Sequence, residues 1–189
     1  AIKEYYPASF VNRDCGMTLN VSCNGEGAEG LFAHNRERFL KEAKILAKLS
    51  SVPGIVRVQN LFAENNTAYI VMEYVDGRDL SDFLSEDPSM QMRRRVADQI
   101  LDAVGYMHRK GIIHNDLKPE NIFISRKDNS VKLLDFGLSD NDAYYLAKAM
   151  GSTAGYASPE LLRQEKTDSR SDIYSLGILL DMVLDGRNS

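Results

Sequence analysis

The chain has 189 residues, of which 43% are hydrophobic and 26% charged, and its formal net charge is −4. That length can bury a core, and the mildly acidic balance gives no electrostatic footprint for nucleic acid. No apolar run reaches the roughly 18 residues of a membrane span, which leaves a soluble cytoplasmic segment as the expectation, with a membrane anchor outside this segment as the alternative for the parent protein.

Taken in chain order, the first patterned stretch is Met17-Thr18-Leu19-Asn20-Val21, which alternates weakly between Cys15-Gly16 and Cys23-Asn24-Gly25-Glu26-Gly27. It predicts a β-hairpin or a loop. Two thiols without a histidine cluster or a signal peptide suit free cysteines in a reducing compartment, a disulfide closing the hairpin being the alternative. From Arg36 to Leu49 the apolar residues Phe39, Ala43, Leu46 and Leu49 recur at steps of four, three and three, with Lys41, Lys44 and Lys48 largely opposite. This spacing predicts an amphipathic helix. Glu42 falls beside its apolar stripe, as an ordinary surface carboxylate or as one that needs a cation. Ile55 to Phe62 and Ala68 to Tyr74 flank Asn65-Asn66, a hairpin signal. Arg93-Arg94-Arg95 reads as the solvated face of a helix. A further hairpin is expected from Ile122-Phe123-Ile124 and Val131-Lys132-Leu133-Leu134, which are separated by a polar stretch containing Asp128-Asn129-Ser130. Finally, Ile173, Leu176, Gly177, Leu180 and Leu184 stand at helical spacing within Asp168 to Asp185, with Asp172 near the start, where a cap and the helix dipole favour it.

The chemistry concentrates around the last hairpin. Its first strand starts where its second ends, so Asn121, just before the one, and Asp135, just after the other, come to the same end. Two hard oxygen donors suit Mg²⁺, which is usually held by one or two protein groups plus phosphates. Asp116, five residues before Asn121, can accept a proton from a hydroxyl, and Lys118 can neutralise a migrating phosphoryl group. Each motif alone is commonplace, since Asp-Phe-Gly often merely closes a strand. Their joint order and spacing carry the information.

With His114-Asn115-Asp116-Leu117-Lys118-Pro119-Glu120-Asn121-Ile122-Phe123-Ile124 followed by Asp135-Phe136-Gly137, the chain resembles the eukaryotic-type protein kinase family, and the likeness covers nearly its whole length. The resemblance implies an α+β, two-lobed protein-kinase-like fold. Residues 1–75 would be a partial small, β-rich lobe with the hinge and an insertion at about 5–34. Residues 76–189 would be a partial, mainly helical large lobe with catalytic loop, activation segment and buried central helix. It implies ATP and Mg²⁺ as cofactors, Asp116 as base, and Asn121 and Asp135 as metal ligands. Ala1-Ile2-Lys3 is similar to the end of the family's Val-Ala-Ile-Lys strand, so Lys3 would hold the α- and β-phosphates with Glu42 as its partner. Val71-Met72-Glu73-Tyr74-Val75-Asp76-Gly77 resembles the hinge. There Glu73 and Val75 would meet adenine through their backbones, with Met72 guarding the pocket behind the base or simply packing in the core. Phe123 joins this nucleotide-binding set. Leu46, Val58, His114 and Phe136 would stack, with Asp172 beneath them anchoring the loop backbone. Gly151-Ser152-Thr153-Ala154-Gly155-Tyr156-Ala157-Ser158-Pro159-Glu160 is similar to the end of an activation segment, with Ser158 where Ala is usual. Lys118 and Thr153 both match the serine/threonine branch, in which Thr153 would pack beside the base.

Two departures stand out. Asn115 replaces the arginine of His-Arg-Asp, which removes the cation that commonly receives an activation-loop phosphate. The thirty-nine positions from Lys3 to Glu42 are long for that step, and Ile2-Lys3-Glu4-Tyr5-Tyr6-Pro7 with this insertion is more similar to bacterial members. Since the chain opens on the lysine strand and stops near the central helix, a fragment incomplete at both ends is expected. The implied reaction is transfer of the γ-phosphoryl group of Mg·ATP to a serine or threonine hydroxyl of a protein whose identity the sequence does not give. The competing expectations are a catalytically weak kinase-like scaffold and a small-molecule phosphotransferase, against which the Gly151 to Glu160 segment counts.

Overall fold

The computed structural model describes residues 1–8, 11–13, 19–24, 27–49, 51–134, 155–163 and 165–185, without the side chain of Glu42. They divide into two compact units, one of Ala1–Ser51 with Arg57–Tyr74, the other of Val52–Val56 with Val75–Ser189. Among the described residues no helix is long and apolar enough to cross a membrane.

The first unit is built on a three-stranded antiparallel sheet, ordered β1 (Ile2–Glu4), β5 (Thr67–Met72), β4 (Val58–Glu64). β4 and β5 are joined by Asn65 and Asn66, whose φ values of 52° and 56° make the left-handed two-residue turn that matches strand twist. Asparagine tolerates that conformation better than most residues, which is why Asn-Asn marks the turn. β2 (Val11–Arg13) and β3 (Val21–Cys23) form a separate antiparallel hairpin, so the insertion is a hairpin whose second strand starts at Val21. Cys15 lies outside the described residues.

The helix α1 (Ala28–Lys48) of this unit begins eight residues before the expected Arg36. The sequence from Gly25 to Gly30 looks like loop because two of its glycines flank Ala28 and Glu29. Phe32 is nevertheless only 4% exposed, and it lies seven positions before Phe39 on the same face, so burial overrides the glycine. The insertion expected at about 5–34 therefore includes the first turns of the helix.

The second unit carries α2 (Leu80–Ser85), α3 (Met90–Arg109), α4 (Pro159–Leu162) and α5 (Ser169–Asp185), together with a sheet ordered β6 (Gly77–Asp79), β7 (Ile122–Ser125), β8 (Val131–Leu133). Asp79 and Ser89 cap α2 and α3, accepting from the amides of Asp82 at 2.8 Å and Met92 at 3.3 Å. The core gathers Ile100 and Met107 of α3, Ile122 and Ile124 of β7, Leu133 of β8 and Leu179 of α5, all fully buried. Val52–Val56 joins this unit because Ile55 bridges to Leu133 and the amide of Val56 donates to the Leu133 carbonyl at 3.1 Å. The strand expected from Ile55 accordingly starts only at Val58, and the chain passes between units at Tyr74 and Val75, one residue before the expected boundary.

Two pattern readings need correction. Arg93 is not on a solvated face: its guanidinium donates to the carbonyls of Pro88 (3.0 Å) and Val183 (3.5 Å) and pairs with Asp87 (3.2 Å), so it ties α3 to α5. In α5 the inward face is Asp172, Ser175, Leu176, Leu179, Met182 and Val183, whereas Ile173 is 57% exposed and Leu184 36%. Between Ile173 and Leu184 apolar residues fall on every side of this helix, so no unique apolar stripe sets its rotation and the polar groups that find partners do.

β6 is so close to β7 that a Cβ on Gly77 would lie 2.6 Å from the Ile124 carbonyl oxygen. Gly77→Ala is expected to push β6 off β7 at a cost of roughly 1–3 kcal/mol. A lowered urea midpoint with unchanged slope checks this, and an unchanged midpoint would contradict it.

Candidate active site

The loop that follows α3 is fixed from below by one carboxylate. Asp172, 1% exposed, accepts from the backbone amide of His114 at 2.7 Å through Oδ2 and from that of Asn115 at 2.8 Å through Oδ1. His108 Nε2 is 2.8 Å from the same Oδ2 and must carry the proton there, because a carboxylate only accepts. A buried charge with three donors is a stable arrangement, whereas one without partners would not persist. The expected cap role at this helix falls instead to Asp168, which accepts from the amide of Arg170 at 2.8 Å; the Arg170 guanidinium holds its carboxyl at about 2.

Above this anchor His114 is fully buried. Its Nε2 lies 3.0 Å from the carbonyl of Leu134, and its Nδ1 accepts from the amide of Asp116 at 3.2 Å. These partners require the neutral ring with its proton on Nε2. His114 thus joins the loop to the end of the β7–β8 hairpin and holds the backbone of Asp116.

Asn121 sets the Asp116 side chain. Its Nδ2 donates to the Asp116 carbonyl at 2.8 Å and to the carboxylate Oδ2 at 3.0 Å, while Lys118 Nζ stands 3.4 Å from the same Oδ2. Asp116 and Asn121 are 8% and 6% exposed. A 3₁₀ turn at Pro119–Asn121, with the Asn121 amide on the Lys118 carbonyl at 3.0 Å, folds these three side chains onto one another. Ile122 opposes Leu133, and the Leu134 amide donates to the Asn121 carbonyl at 2.8 Å, so the chain leading to Asp135 leaves β8 beside Asn121. Gln99 of α3 holds the far end of this hairpin, accepting from the amide of Val131 at 3.0 Å and donating to the carbonyl of Asn129 at 3.2 Å.

Other sequence-predicted positions are distributed as follows. Asp135, Phe136 and Thr153 lie outside the described residues. Phe123 is half-buried in β7, between Lys132 and Asp79 on the neighbouring strands. In the first unit, Lys3 sits in β1 opposite Ile70, and Met72 ends β5, exchanging backbone hydrogen bonds of 2.8 Å with Ala1. The amide of Glu73 donates to the Arg57 carbonyl at 2.9 Å, and its carboxylate accepts from the Arg57 amide at 3.0 Å. Val75 opens the chain's passage into the second unit. Glu42 lies on α1, its side chain outside the described ones.

The pattern of the protein kinase domain family matches residues 28–188. The chain belongs to the protein kinase family. It is 39% identical over 160 residues to the serine/threonine-protein kinase pkn2 of Myxococcus xanthus, a match covering 80% of this chain and 19% of that protein. The serine/threonine-protein kinase PknB of Mycobacterium leprae is 42% identical over 160 residues, covering 79% and 25% of the two chains. Among solved structures, the apo form of PpkA-294 superposes with a TM-score of 0.82 at 28% identity over 98% of this chain and 66% of that one. The chain thus spans about a fifth to a quarter of the curated relatives it matches, and its fold is the two-lobed kinase fold, α+β as expected.

Within the kinase loop the Asn115 departure has a local reason. Asn115 adopts φ 60°, a left-handed conformation that costs asparagine less than most residues. Sequence reasoning missed His108, Gln99, Ser171 and Ser175. His108 offered one signal, a basic side chain in the last turn of a helix. The serines hold the segment ending in Glu160. Ser175 Oγ donates to the Tyr156 carbonyl and Ser171 Oγ to Glu160, both at 2.6 Å, and the latter holds the Glu160 carboxyl below its ordinary range.

Asp172→Ala would leave two buried amides and His108 without their acceptor, and a loss of about 3 kcal/mol or more is expected. At Asn115, Gly is expected to be neutral and Val to cost about 1–3 kcal/mol, because only the latter resists positive φ. Equilibrium unfolding of the three variants checks both; equal stability of Asn115→Gly and Asn115→Val would contradict the left-handed assignment.

Proposed function

We propose that this chain is the catalytic core of a protein serine/threonine kinase that transfers the γ-phosphoryl group of ATP to a protein hydroxyl. The observation that carries this reading is the double hold of Asn121 on Asp116, with Lys118 at 3.4 Å on the same carboxylate. A carboxylate held by a neighbouring amide and partnered by an ammonium is oriented before any substrate arrives, and catalysis by positioning needs that orientation.

In the proposed step Asp116 accepts the proton of the substrate hydroxyl as its oxygen forms a bond to the γ-phosphorus. The bond from that phosphorus to the bridging oxygen breaks, and the electron pair leaves with ADP. Lys118 offsets charge on the moving phosphoryl oxygens. Because Asn121 Nδ2 is committed to Asp116, its Oδ1 points the other way across the amide, and a hard oxygen there suits Mg²⁺. Asn121 with Asp135 would hold the ion, which supplies charge neutralisation at the phosphates when bound.

In the first unit the same reading assigns Lys3 to the α- and β-phosphates with Glu42 as its partner. The Glu73 amide already serves Arg57, so a base contact from Glu73 would run through its carbonyl. Val75 and Met72 complete the adenine set, and Phe123 belongs to the nucleotide-binding residues of the second unit. Thr153 is assigned beside the base as in the serine/threonine branch. A protein is the proposed substrate class, and no contact with nucleic acid is invoked.

Asp116→Asn in the full-length protein is expected to lower turnover of Mg·ATP and a generic protein substrate by about 10²–10⁴-fold with little change in melting temperature. Near-normal turnover would remove Asp116 as the base. Phosphatase treatment of the wild-type protein is expected to leave most activity, because Asn115 offers an amide where an arginine fork would bind phosphate. Loss of activity restored by rephosphorylation between Leu138 and Thr153 would contradict that.

A further inference from the structure

The insertion and the strand carrying Lys3 grip helix α1 at several points, none of which the catalytic reading uses. Tyr5 follows β1 directly, and its backbone is fixed to β5: its amide donates to the Ala68 carbonyl at 2.9 Å, and its carbonyl accepts from Thr67 Oγ1. The Tyr5 ring is therefore an extension of the sheet. It lies against two aromatic rings of α1, with centroids 5.3 Å from Phe32 and 5.5 Å from Phe39.

The second grip is polar. Arg36 of α1 donates through Nη1 to the carbonyl and to the Oδ1 of Asn66, at 3.0 and 2.9 Å. Asn66 in turn donates through Nδ2 to the Val21 carbonyl at 2.8 Å, and the Val21 amide donates to the Asn65 carbonyl at 2.9 Å. One side chain in the β4–β5 turn therefore links sheet, insertion hairpin and helix. The hairpin closes the arrangement: Val11 and Val21, 1% and 2% exposed, form a small core with Phe32, and Arg13 pairs with Glu4 of β1.

Phe32, Arg36 and Phe39 succeed one another at steps of four and three, which places them on one strip of the helix. Ala43, fully buried, continues that strip, and Glu42 stands one position before it at the strip's edge. A helix gripped at three successive positions of one strip can neither roll nor slide relative to the sheet without breaking a grip.

We propose that Tyr5, Arg36 and Asn66 are positioning residues that fix the roll of α1 against the strand carrying Lys3, and with it the helix position from which Glu42 acts. This rests on the reading of Lys3 and Glu42 given under Proposed function. The three act through Glu42 and touch no reacting atom.

The test is a set of coupled substitutions in the full-length protein, assayed with Mg·ATP and a generic protein substrate. Asn66→Gly keeps the left-handed turn and removes both side-chain links. Tyr5→Ala removes the rings' partner, and Tyr5→Phe keeps it. Asn66→Gly and Tyr5→Ala are each expected to lower kcat roughly tenfold, since small misplacements of a positioned group are costly in rate. Tyr5→Phe, which keeps the ring and loses only the hydroxyl's hydrogen bond to Asn35 of α1, should lose far less kcat than Tyr5→Ala. In a Glu42→Gln background the same two changes should lower kcat less than about twofold, because residues acting through one group are not additive. Arg36→Gln, a change at the helix surface, repeats the Asn66 arm should that variant unfold, and melting temperatures within about 3 °C of each parent show that the fold persists. Equal losses in both backgrounds would make the grips merely structural and overturn the inference while leaving the kinase reading intact, as would unchanged kcat in Asn66→Gly and Tyr5→Ala. Wild-type activity of Glu42→Gln alone would overturn the Lys3 and Glu42 assignment, and the inference with it.

Discussion

The second unit depends on the carboxylate of Asp172. It is almost fully buried on a helix far along the chain, and it receives the amides of His114 and Asn115 together with His108 Nε2. The desolvation of that charge is tolerable only because three donors converge on it, and the same condition fixes the loop. With the loop backbone held, His114 can bridge to Leu134, and Asn121 can meet Asp116. The side chains proposed for catalysis thus inherit their positions from a group to which no chemistry is assigned. The rotation of α5 follows from it too: the helix turns Asp172, Ser171 and Ser175 inward and leaves Ile173 outside.

The first unit is organised differently, around aromatic and amide contacts instead of a buried charge. Its sheet alone is three strands, and α1 is held on it by Tyr5 stacking and by the Arg36–Asn66 link. Contacts of this kind are individually weak, but they fall on one strip of the helix and act together. Within the long connection between β1 and α1, the β2–β3 strands pack on the helix through a small core of Val11, Val21 and Phe32.

Left-handed backbone is common to the two units. Among the described residues, the non-glycine positions of positive φ are Asn65, Asn66, Asp87, Asn115 and Asn129. All carry short polar side chains that tolerate this region. In the hairpin turns their meaning was visible in sequence, because apolar runs flank them. At Asn115 it was not, because the conformation arises from the pull of Asp172 on two successive amides, fifty-seven residues away.

What the sequence determined by itself was local or motif-borne: the hairpins around Asn65-Asn66 and Asp128-Asn129, the helix over Arg36 to Leu49, and the clustering of Asp116, Lys118 and Asn121. Each follows from side-chain periodicity or from residues a few positions apart, where chain connectivity already limits geometry. The tertiary structure alone decided that α1 starts at Ala28, that Val52–Val56 packs with the second unit, that Arg93 is an internal tie, and which face of α5 points inward. Those outcomes turn on where a buried donor meets an acceptor from a distant segment, and a pattern of apolar spacing holds no information about that meeting.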